Sequence, residues 1–363
     1  MGEAKAPSLP SLESLIEQAI KQRASDIHMT PGRVPIVRVD GELILVKDWP
    51  VLTPAMTQTV AQQMTTGEQW EKFVKDRELD FSLSQHKISR FRANLSWQRG
   101  SVSIALRSIP HEIPTFEQLG LPSVLKKFAE KDHGLFLVTG PTGSGKSTTL
   151  AAMVDYINET RSCHIVTIED PIEYLHRHKK SLVSQREMHH DTLSFPEALR
   201  HVLRQDPDVI LIGEMRDLET VETALMMAET GHLVLATLHT GDTSQALTRI
   251  IDIYSPHQQA QARTQLSLSL IGIMAQELLR RVDQRGRVLA YEVLVNTPGL
   301  AHMIRANEIH QVYTSIQTGA GEGMCTLNSS LVKLYKSRII SREDALQKSV
   351  RQKELLDQIN PFL

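Results

Sequence analysis

Cysteine is rare in this chain, whose 363 residues include only two, Cys163 and Cys325. The two form neither a CxxC pair nor a recognisable zinc-binding spacing, so neither a disulfide framework nor a structural zinc site is expected. Residues 1–10 are small and polar and lack the apolar stretch of a secretory signal. The sequence therefore predicts a cytosolic protein with reduced thiols.

Long apolar runs and an excess of one charge are also missing. No run approaches the roughly 20 residues that span a bilayer, and the most hydrophobic helix candidate, residues 266–279, contains four polar residues, Ser267, Ser269, Gln276 and Glu277. Lys and Arg number 40 against 42 Asp and Glu, a formal net charge of -2. A general nucleic-acid binder would be basic, so the composition predicts a soluble globular protein and gives no support to nucleic-acid binding other than by a local basic patch.

The remaining pattern predicts two domains, residues 1–109 and 115–363. Between them Pro110 and Pro114 favour extended backbone, and residues 110–114 are therefore interpreted as a linker. The first domain mixes helix and strand signals. Its predicted elements are a helix capped by Ser11, a hairpin at 36–46 turning at Asp40-Gly41, a helix over 54–64, and strands at 79–83, 88–97 and 102–109.

Apolar strands alternate with helices in the second domain, a pattern typical of a parallel α/β sheet. The four clearest strands are residues 135–138, 164–168, 209–212 and 233–236. From about Pro298 onward the sequence predicts helices alone.

The clearest chemical motif, GxxxxGK[ST], occupies residues 140–147 between a predicted strand and a predicted helix. Glycines let backbone N–H groups turn toward a triphosphate, at a helix N-terminus that already favours anions. Lys146 supplies charge to the β- and γ-phosphates, and the Ser147 hydroxyl is a ligand for Mg²⁺. The residues predicted to bind ATP are Gly140, Pro141, Thr142, Gly143, Ser144, Gly145, Lys146, Ser147 and Thr148.

Acidic residues follow two of the other strands. Glu214 comes directly after the strand at 209–212, where phosphate-loop enzymes place an acid that polarises water or supports Mg²⁺ through water. Gly213 stands where such a strand usually ends in Asp, and a capping or solvated role for Glu214 is the alternative. Glu169, Asp170 and Glu173 cluster after the strand at 164–168, either near a cation or as a solvated acidic loop.

Two histidines flank the strand at 233–236. His239 lies at its carboxyl end, the side where open α/β sheets bind ligands, and is predicted to sense the γ-phosphate. His232 lies at the other end, where a structural role is equally consistent with the pattern. The remaining histidines, including His189 and His190, show no metal-binding spacing.

Four blocks thus stand in fixed order, at residues 140–147, 168–173, 211–217 and 237–240. Together they resemble the secretion ATPase superfamily, and specifically the type IV pilus retraction ATPases. Matches at residues 25–28, 39–41, 184–187 and 316–319 extend the resemblance over nearly the whole chain.

The resemblance implies a PAS-like first domain, a RecA-like second domain with a helical C-terminal part, and a homo-hexameric ring. It places Lys146, Ser147, Glu214, Glu173 and His239 at functional positions of the family. It also implies that arginines of the first domain complete the active site of another subunit, with Arg92 and Arg107 at the matching spacing and Arg99 between them. The alternative is that Arg92 and Arg107 only alternate on the exposed face of a strand pair.

The function implied is Mg-dependent ATP hydrolysis that powers pilus retraction and twitching motility, at the cytoplasmic face of the inner membrane beside a platform protein. Residues 299–306 depart from the family pattern and keep only its apolar positions and Arg305. An accessory nucleotide-binding paralogue that assists another motor ATPase therefore stays open, as does a pilus assembly or secretion ATPase. A nucleic-acid translocase is disfavoured by the near-neutral charge and by the lack of a basic and aromatic stripe.

Overall fold

The computed structural model describes residues 11–22, 24–39, 42–85, 89–109, 112–284 and 286–359. The chain divides into two compact units, Met1–His111 (unit 1) and Glu112–Leu363 (unit 2). This division falls inside the range 110–114 that the sequence predicts as a linker, of which residues 110 and 111 lie outside the described part.

Unit 1 combines three helices with an antiparallel sheet across its described residues. In chain order its elements are α1 (Leu12–Lys21), β1 (Asp26–Met29), β2 (Ile36–Val39), β3 (Glu42–Leu45), α2 (Pro54–Met64), α3 (Gly67–Asp76), β4 (Glu78–Gln85), β5 (Ser89–Gln98) and β6 (Ser101–Ile109). The strand order is β3-β2-β1-β6-β5-β4. Ser11 caps α1, since its side chain accepts a hydrogen bond from the backbone N–H of Ser14. The predicted hairpin forms between β2 and β3, while its turn at Asp40-Gly41 lies outside the described residues.

The two faces of the unit 1 sheet differ in chemistry. Alternate residues such as Ile27, Val37 and Leu106 are buried in the core of the unit. The other face carries Arg38, Asp26, Arg107 and Arg92, which stand opposite one another along a single row. One face is therefore a hydrophobic core surface, and the other carries a row of charged side chains.

Unit 2 begins with short helices and a central sheet. Its elements through that sheet are α4 (Phe116–Leu119), α5 (Val124–Ala129), β7 (Gly134–Thr139), α6 (Lys146–Thr160), β8 (His164–Glu169), β9 (Leu182–Glu187), α7 (Phe195–Val202), β10 (Val209–Ile212), α8 (Leu218–Glu229), β11 (Leu233–Thr237), α9 (Thr243–Asp252), α10 (Gln259–Ser269), β12 (Leu270–Arg280) and β13 (Arg287–Val295). The strand order is β13-β12-β7-β11-β10-β8-β9. Neighbouring strands run parallel except β13, which is antiparallel to β12. The predicted α/β fold is confirmed, although the sheet is mixed rather than wholly parallel.

The predicted helix at residues 266–279 is wrong beyond Ser269. The helix α10 ends there, and Leu270 begins the eleven-residue strand β12. β12 lies between β7 and β13 and is buried along most of its length, so it lacks the polar alternation by which a half-exposed strand is recognised. β9 and β13 are likewise strands that the four predicted ones do not include.

The described residues from Pro298 onward are helical apart from short connections, as predicted. The elements are α11 (Pro298–Arg305), α12 (Val312–Thr318), α13 (Leu327–Lys336), α14 (Arg342–Lys348) and α15 (Gln352–Ile359), with 3-10 helices at Ile309–Gln311 and Ala320–Glu322. Leu331, Ile340 and Leu355 from this part form a small core with Leu279 and Ala290 of β12 and β13. Within the described ranges, none of the helices combines the length and apolarity of a bilayer-spanning segment.

Candidate nucleotide-binding site

The loop at residues 140–147 joins β7 to α6, which begins at Lys146. Gly140, Gly143 and Gly145 have φ values of 143°, 80° and 90°, a region that L side chains rarely adopt. At Gly140 a Cβ atom would also lie 2.4 Å from the carbonyl oxygen of Gln276. The glycines are thus required by the backbone path, and the path brings the loop to the N-terminus of α6, a favourable position for phosphate.

Lys146 is enclosed by the loop it belongs to. Its side chain is 8% exposed, and Nζ donates to the carbonyl oxygens of Gly140 at 2.8 Å and Pro141 at 3.1 Å. Burial lowers the pKa of Lys146 from its ordinary value, while the charges of Glu214 and Glu173 act in the opposite direction. The two carboxylates thereby help Lys146 to keep its charge where a phosphate would bind.

His239 lies between Lys146 and Glu214. Its Nδ1 is 3.4 Å from Lys146 Nζ, and its Nε2 is 3.3 Å from Glu214 Oε2. Since an ammonium group only donates hydrogen bonds, Nδ1 accepts from Lys146 and Nε2–H donates to Glu214. The structure thus joins three of the predicted site residues in one polar chain.

Glu214 follows β10 and has a second partner that the sequence did not indicate. Arg216 Nη2 lies 2.6 Å from Glu214 Oε2. Burial acts to raise the pKa of Glu214, but the hydrogen bonds from Arg216 and His239 and the charge of Arg216 outweigh it and hold that pKa below its ordinary value. Glu214 is therefore ionised at neutral pH and able to accept a proton or orient a water molecule.

Gly213 replaces the usual acid of this strand end for a steric reason. A Cβ atom there would lie 3.2 Å from both the Glu169 Cα and the Ile168 carbonyl oxygen. Its backbone N–H also donates to that carbonyl at 2.8 Å. Because β8 and β10 approach so closely here, a side chain at position 213 would meet the backbone of β8 at less than ordinary van der Waals distance.

The acidic cluster forms the opposite wall of the cleft. Glu169 ends β8, and Asp170 and Glu173 follow on an exposed loop. Burial raises the pKa of Glu169 to about 7, while hydrogen bonds from Thr167, Gln185 and the backbone of Glu173 act to lower it. The charge of Glu173 also acts to raise the pKa of Lys146, so Glu173 interacts electrostatically with the phosphate loop.

These walls enclose a cleft of about 380 Å³. Its lining includes Thr142, Gly143, Gly145, Lys146, Ser147, Thr148, Glu169, Asp170, Glu173, Glu214 and His239, all predicted from sequence. Gly140, Pro141 and Ser144 of the loop are not among the lining residues, and the Ser144 Oγ is buried without a hydrogen-bond partner among the described residues. The cleft contains cationic, hydroxyl and backbone donors on one side and carboxylates on the other, as a nucleotide with its metal ion requires.

The oxygen donors in the cleft fit Mg²⁺. Within the described residues, no group of three or more His, Cys, Asp or Glu side chains is arranged to hold a metal ion. Mg²⁺ in phosphate-transfer sites is commonly bound through one or two protein oxygens, substrate phosphates and water. Ser147 directly and Glu214 through water are the residues here that match this pattern.

Sequence reasoning missed Gln276, which supports the loop from behind. Gln276 is 2% exposed on β12, donates from Nε2 to the Ser144 carbonyl at 2.7 Å and accepts from Thr149 Oγ1 at 3.0 Å. Tyr174 is a further missed residue, since its hydroxyl lies 2.9 Å from Thr148 Oγ1. Arg216 lies within the sequence block at residues 211–217, but nothing in that block indicates its ion pair with Glu214.

The other predicted residues are not among those that line this cleft. His232 is at the opposite end of β11, where its Nδ1 lies 3.1 Å from the Met227 carbonyl oxygen, a structural contact. Arg92 and Arg107 are exposed on the unit 1 sheet, directly opposite each other on β5 and β6. Arg99 lies in the turn joining these strands, roughly 20 Å along the sheet from Arg92 at about 3.3 Å per residue.

Comparison with known proteins agrees with the predicted family. Residues 2–354 match the family described as Type II/IV secretion system protein. The chain belongs to that family. It is 44% identical over 338 residues to the type IV pilus retraction ATPase PilT of Pseudomonas aeruginosa, covering 93% of this chain and 98% of the relative. It is also 42% identical over 334 residues to the type IV pilus ATPase PilU of the same organism, covering 92% of this chain and 87% of the relative.

The fold of this secretion family member also matches a solved structure. The crystal structure of the pilus retraction motor PilT with bound ADP superimposes with a TM-score of 0.90 at 51% identity, covering 95% of this chain and 98% of that chain. The predicted resemblance to pilus retraction ATPases is confirmed, and with it the assignment of the chain as a nucleotide-binding ATPase of this family.

Proposed function

We propose that this chain hydrolyses Mg-ATP as the subunit of a homo-hexameric motor that retracts type IV pili and so drives twitching motility. The observation that carries the proposal is the chain of contacts from Lys146 through His239 to Glu214 across the nucleotide cleft. These contacts connect Lys146, which would hold the phosphates, to Glu214, which would activate water. Both side chains would therefore respond to the same bound γ-phosphate.

In this proposal each residue has one task. Lys146 and the backbone of residues 140–147 bind the phosphates, and His239 responds to whether the γ-phosphate is present. Glu214, ionised and held by Arg216, orients or deprotonates the attacking water. Mg²⁺, held by Ser147 and through water by Glu214, would neutralise charge on the phosphate oxygens. Glu173 adds negative charge on the side of the metal ion.

The arginines of unit 1 complete the site in another copy of the chain. Arg107 is 71% exposed at its side chain and is held at its Nε by Asp26, 2.9 Å away. Guanidinium groups entering from a neighbouring subunit can neutralise charge that develops on the γ-phosphoryl group. Arg92 and Arg107 are proposed for this role because they share one row, whereas Arg99 is too distant to act with them at one phosphate.

The motor would act at the cytoplasmic face of the inner membrane, where domain motion is transmitted to a pilus platform protein and a paralogous ATPase acts beside it. No nucleic acid is expected to take part. The proposal that this chain is the main motor is supported by its match to the retraction ATPase PilT, which covers 98% of that protein.

One segment keeps the accessory paralogue as a second candidate. Residues 299–306 depart from the retraction pattern, and Arg305, which they retain, donates to Ser267 Oγ at 3.1 Å within the unit. The two candidates differ in the turnover of the isolated chain, since an accessory protein would bind ATP and hydrolyse little of it.

The test combines an ATPase assay with Glu214→Ala. The proposal expects turnover by the purified chain, a loss of about 100-fold or more in Glu214→Ala, and unchanged binding of a fluorescent ATP analogue. Deletion of the gene should leave cells with pili that extend and do not retract. A variant that hydrolyses at the normal rate would remove Glu214 from the mechanism, and negligible turnover by the wild-type chain would favour the accessory role.

A further inference from the structure

The loop that carries Glu173 is held by a side chain from the edge of the sheet. β9 is the last strand beside β8, and its Gln185 faces the loop of residues 169–176. Gln185 Nε2 donates to the Tyr174 carbonyl at 2.8 Å and to Glu169 Oε1 at 3.2 Å. Its Oε1 accepts from the His176 backbone N–H at 2.8 Å. One amide thus contacts the loop at its beginning and on both sides of residue 175.

This pattern of donors and acceptors suits an amide and no other common side chain. The amide nitrogen faces two acceptors, and the amide oxygen faces one donor. Glutamate would place an acceptor against both the Glu169 carboxylate and the Tyr174 carbonyl, and methionine would make none of the three bonds. Position 185 therefore requires the hydrogen-bonding groups of an amide, and a side chain of the same size without them would not make these contacts.

The contact continues to Glu173 itself. The Glu169 carboxylate, which accepts from Gln185 and from Thr167 Oγ1 at 2.7 Å, also accepts a backbone hydrogen bond from Glu173. Gln185 thereby holds the backbone that follows Glu173 directly, and it reaches the backbone N–H of Glu173 through the Glu169 carboxylate. The Glu173 carboxylate stays exposed at the cleft.

We propose that Gln185 is a positioning residue for the ATPase reaction, acting through Glu169 and the backbone of the loop to hold the Glu173 carboxylate toward the phosphate loop. The proposal rests on the function proposed above for Glu173. Gln185 lies behind the loop and outside the cleft lining, so its effect should fall on turnover rather than on nucleotide affinity. A displacement of about 1 Å in a reacting group can lower a rate by up to about 100-fold.

The experiment compares Gln185→Met, Glu173→Gln and the double variant in the full-length chain. Gln185→Met should lower kcat about 10- to 100-fold while the affinity for ADP stays close to wild type and the chain remains folded at the assay temperature, although the three lost hydrogen bonds lower its melting temperature. The double variant should turn over no more slowly than Glu173→Gln alone, because Gln185 acts through Glu173. Gln352→Met is the matched control, since it loses one exposed amide hydrogen bond in the C-terminal helices and should keep wild-type turnover.

Two results would overturn the proposal, and they can be told apart. Normal turnover in Gln185→Met, or independent losses that multiply in the double variant, would show that Gln185 does not act through Glu173 while leaving the proposed function intact. Normal turnover in Glu173→Gln would remove the role of Glu173 and the positioning role together. If Gln185→Met fails to fold, Gln185→Glu provides the same test, because it keeps the volume and the His176 contact and reverses the two donor contacts.

Discussion

The nucleotide cleft of unit 2 and the arginine row of unit 1 both bring charged side chains together, but in opposite ways. In the cleft, Lys146 is 8% exposed and already enclosed by carbonyl oxygens and His239. In the row, Arg92 faces Arg107 directly across two strands, and like charges so placed repel each other. The cation of the cleft already has acceptors within its own unit, whereas the row has an excess of positive charge that an anion would relieve.

The carboxylates of the two regions show the same contrast. Glu169 is half-buried among neutral donors and beside Glu173, and burial raises its pKa to about 7. At Asp26 burial also acts to raise the pKa, but hydrogen bonds from Ser25 and Arg107 together with the charge of Arg107 outweigh it and hold the pKa below its ordinary value. The stability that each carboxylate contributes therefore changes with pH in opposite directions. It falls as pH rises for Glu169, which has no cation beside it in the described part of the chain, and falls as pH drops for Asp26, which does.

The largest expected effect tests whether the row completes the cleft of another copy. Arg92→Ala and Arg107→Ala should each lower turnover by about 1000-fold, the range seen for arginines supplied in trans, with nucleotide affinity unchanged. A mixture of Arg107→Ala with Lys146→Ala should regain activity, because an intact cleft of the first variant can receive arginines from the second. A mixture as inactive as its components would show that the arginines do not act between subunits.

Arg99→Ala is the control for that experiment. Arg99 lies in the turn between β5 and β6 and away from the row, so we expect its turnover to stay within about twofold of wild type. A loss equal to that of Arg107→Ala would mean that the whole β5–β6 hairpin, and not the row, approaches the cleft.

The second prediction concerns how the free energy of unfolding of unit 2 changes with pH. The folded pKa of Glu169 is about 7 and its ordinary value is 4.5, so the folded state binds more protons between these values and stability falls as pH rises through that window. The loss attributable to Glu169 is at most about 3 kcal/mol. Glu169→Gln should remove this part of the pH dependence, measured as the difference between wild type and variant in denaturant unfolding from pH 5 to pH 8.

The positions of the tryptophans allow the two units to be followed separately. All three, Trp49, Trp70 and Trp97, lie in unit 1. Tryptophan fluorescence therefore reports unit 1, and circular dichroism at the helix band reports the helix-rich unit 2 as well. The Glu169→Gln difference should be present in the circular dichroism transition and absent from the fluorescence transition. A difference of equal size in both transitions would show that the two units unfold together.

The same contrast explains how much the sequence could predict. Residues 140–147 are contiguous, so local spacing alone indicates the loop, its strand and its helix. Gln276 supports that loop from 132 positions away, through the pairing of β12 with β7. That pairing was not predicted, because β12 is buried on both faces and has no alternation. Residues on neighbouring strands that are distant in sequence support the site, and local sequence patterns do not predict which strands are neighbours.

Unit 1 shows a related limit. The strands β4 to β6 and the helix α2 follow from alternation and capping signals, and the structure has them within a few residues of the predicted ranges. The row of Arg38, Asp26, Arg107 and Arg92 depends on the register of four strands, which a shift of one residue would destroy. The resemblance to the family indicated Arg92 and Arg107, and only the register joins them to Asp26.

The smallest expected effect tests that connection. Asp26→Asn keeps the size of the side chain and removes the charge that faces Arg107 at 2.9 Å and Arg38 at 3.9 Å. Because both arginines are partly solvated, we expect a loss of about 1 kcal/mol in the stability of unit 1, seen by tryptophan fluorescence. The wild-type contribution is present above the ordinary pKa of 3.8 and is lost as pH falls through the lowered folded value. The variant should therefore lose its difference from wild type in strong acid, and a difference that persists there would mean that Asp26 stabilises unit 1 by packing and not by its charge.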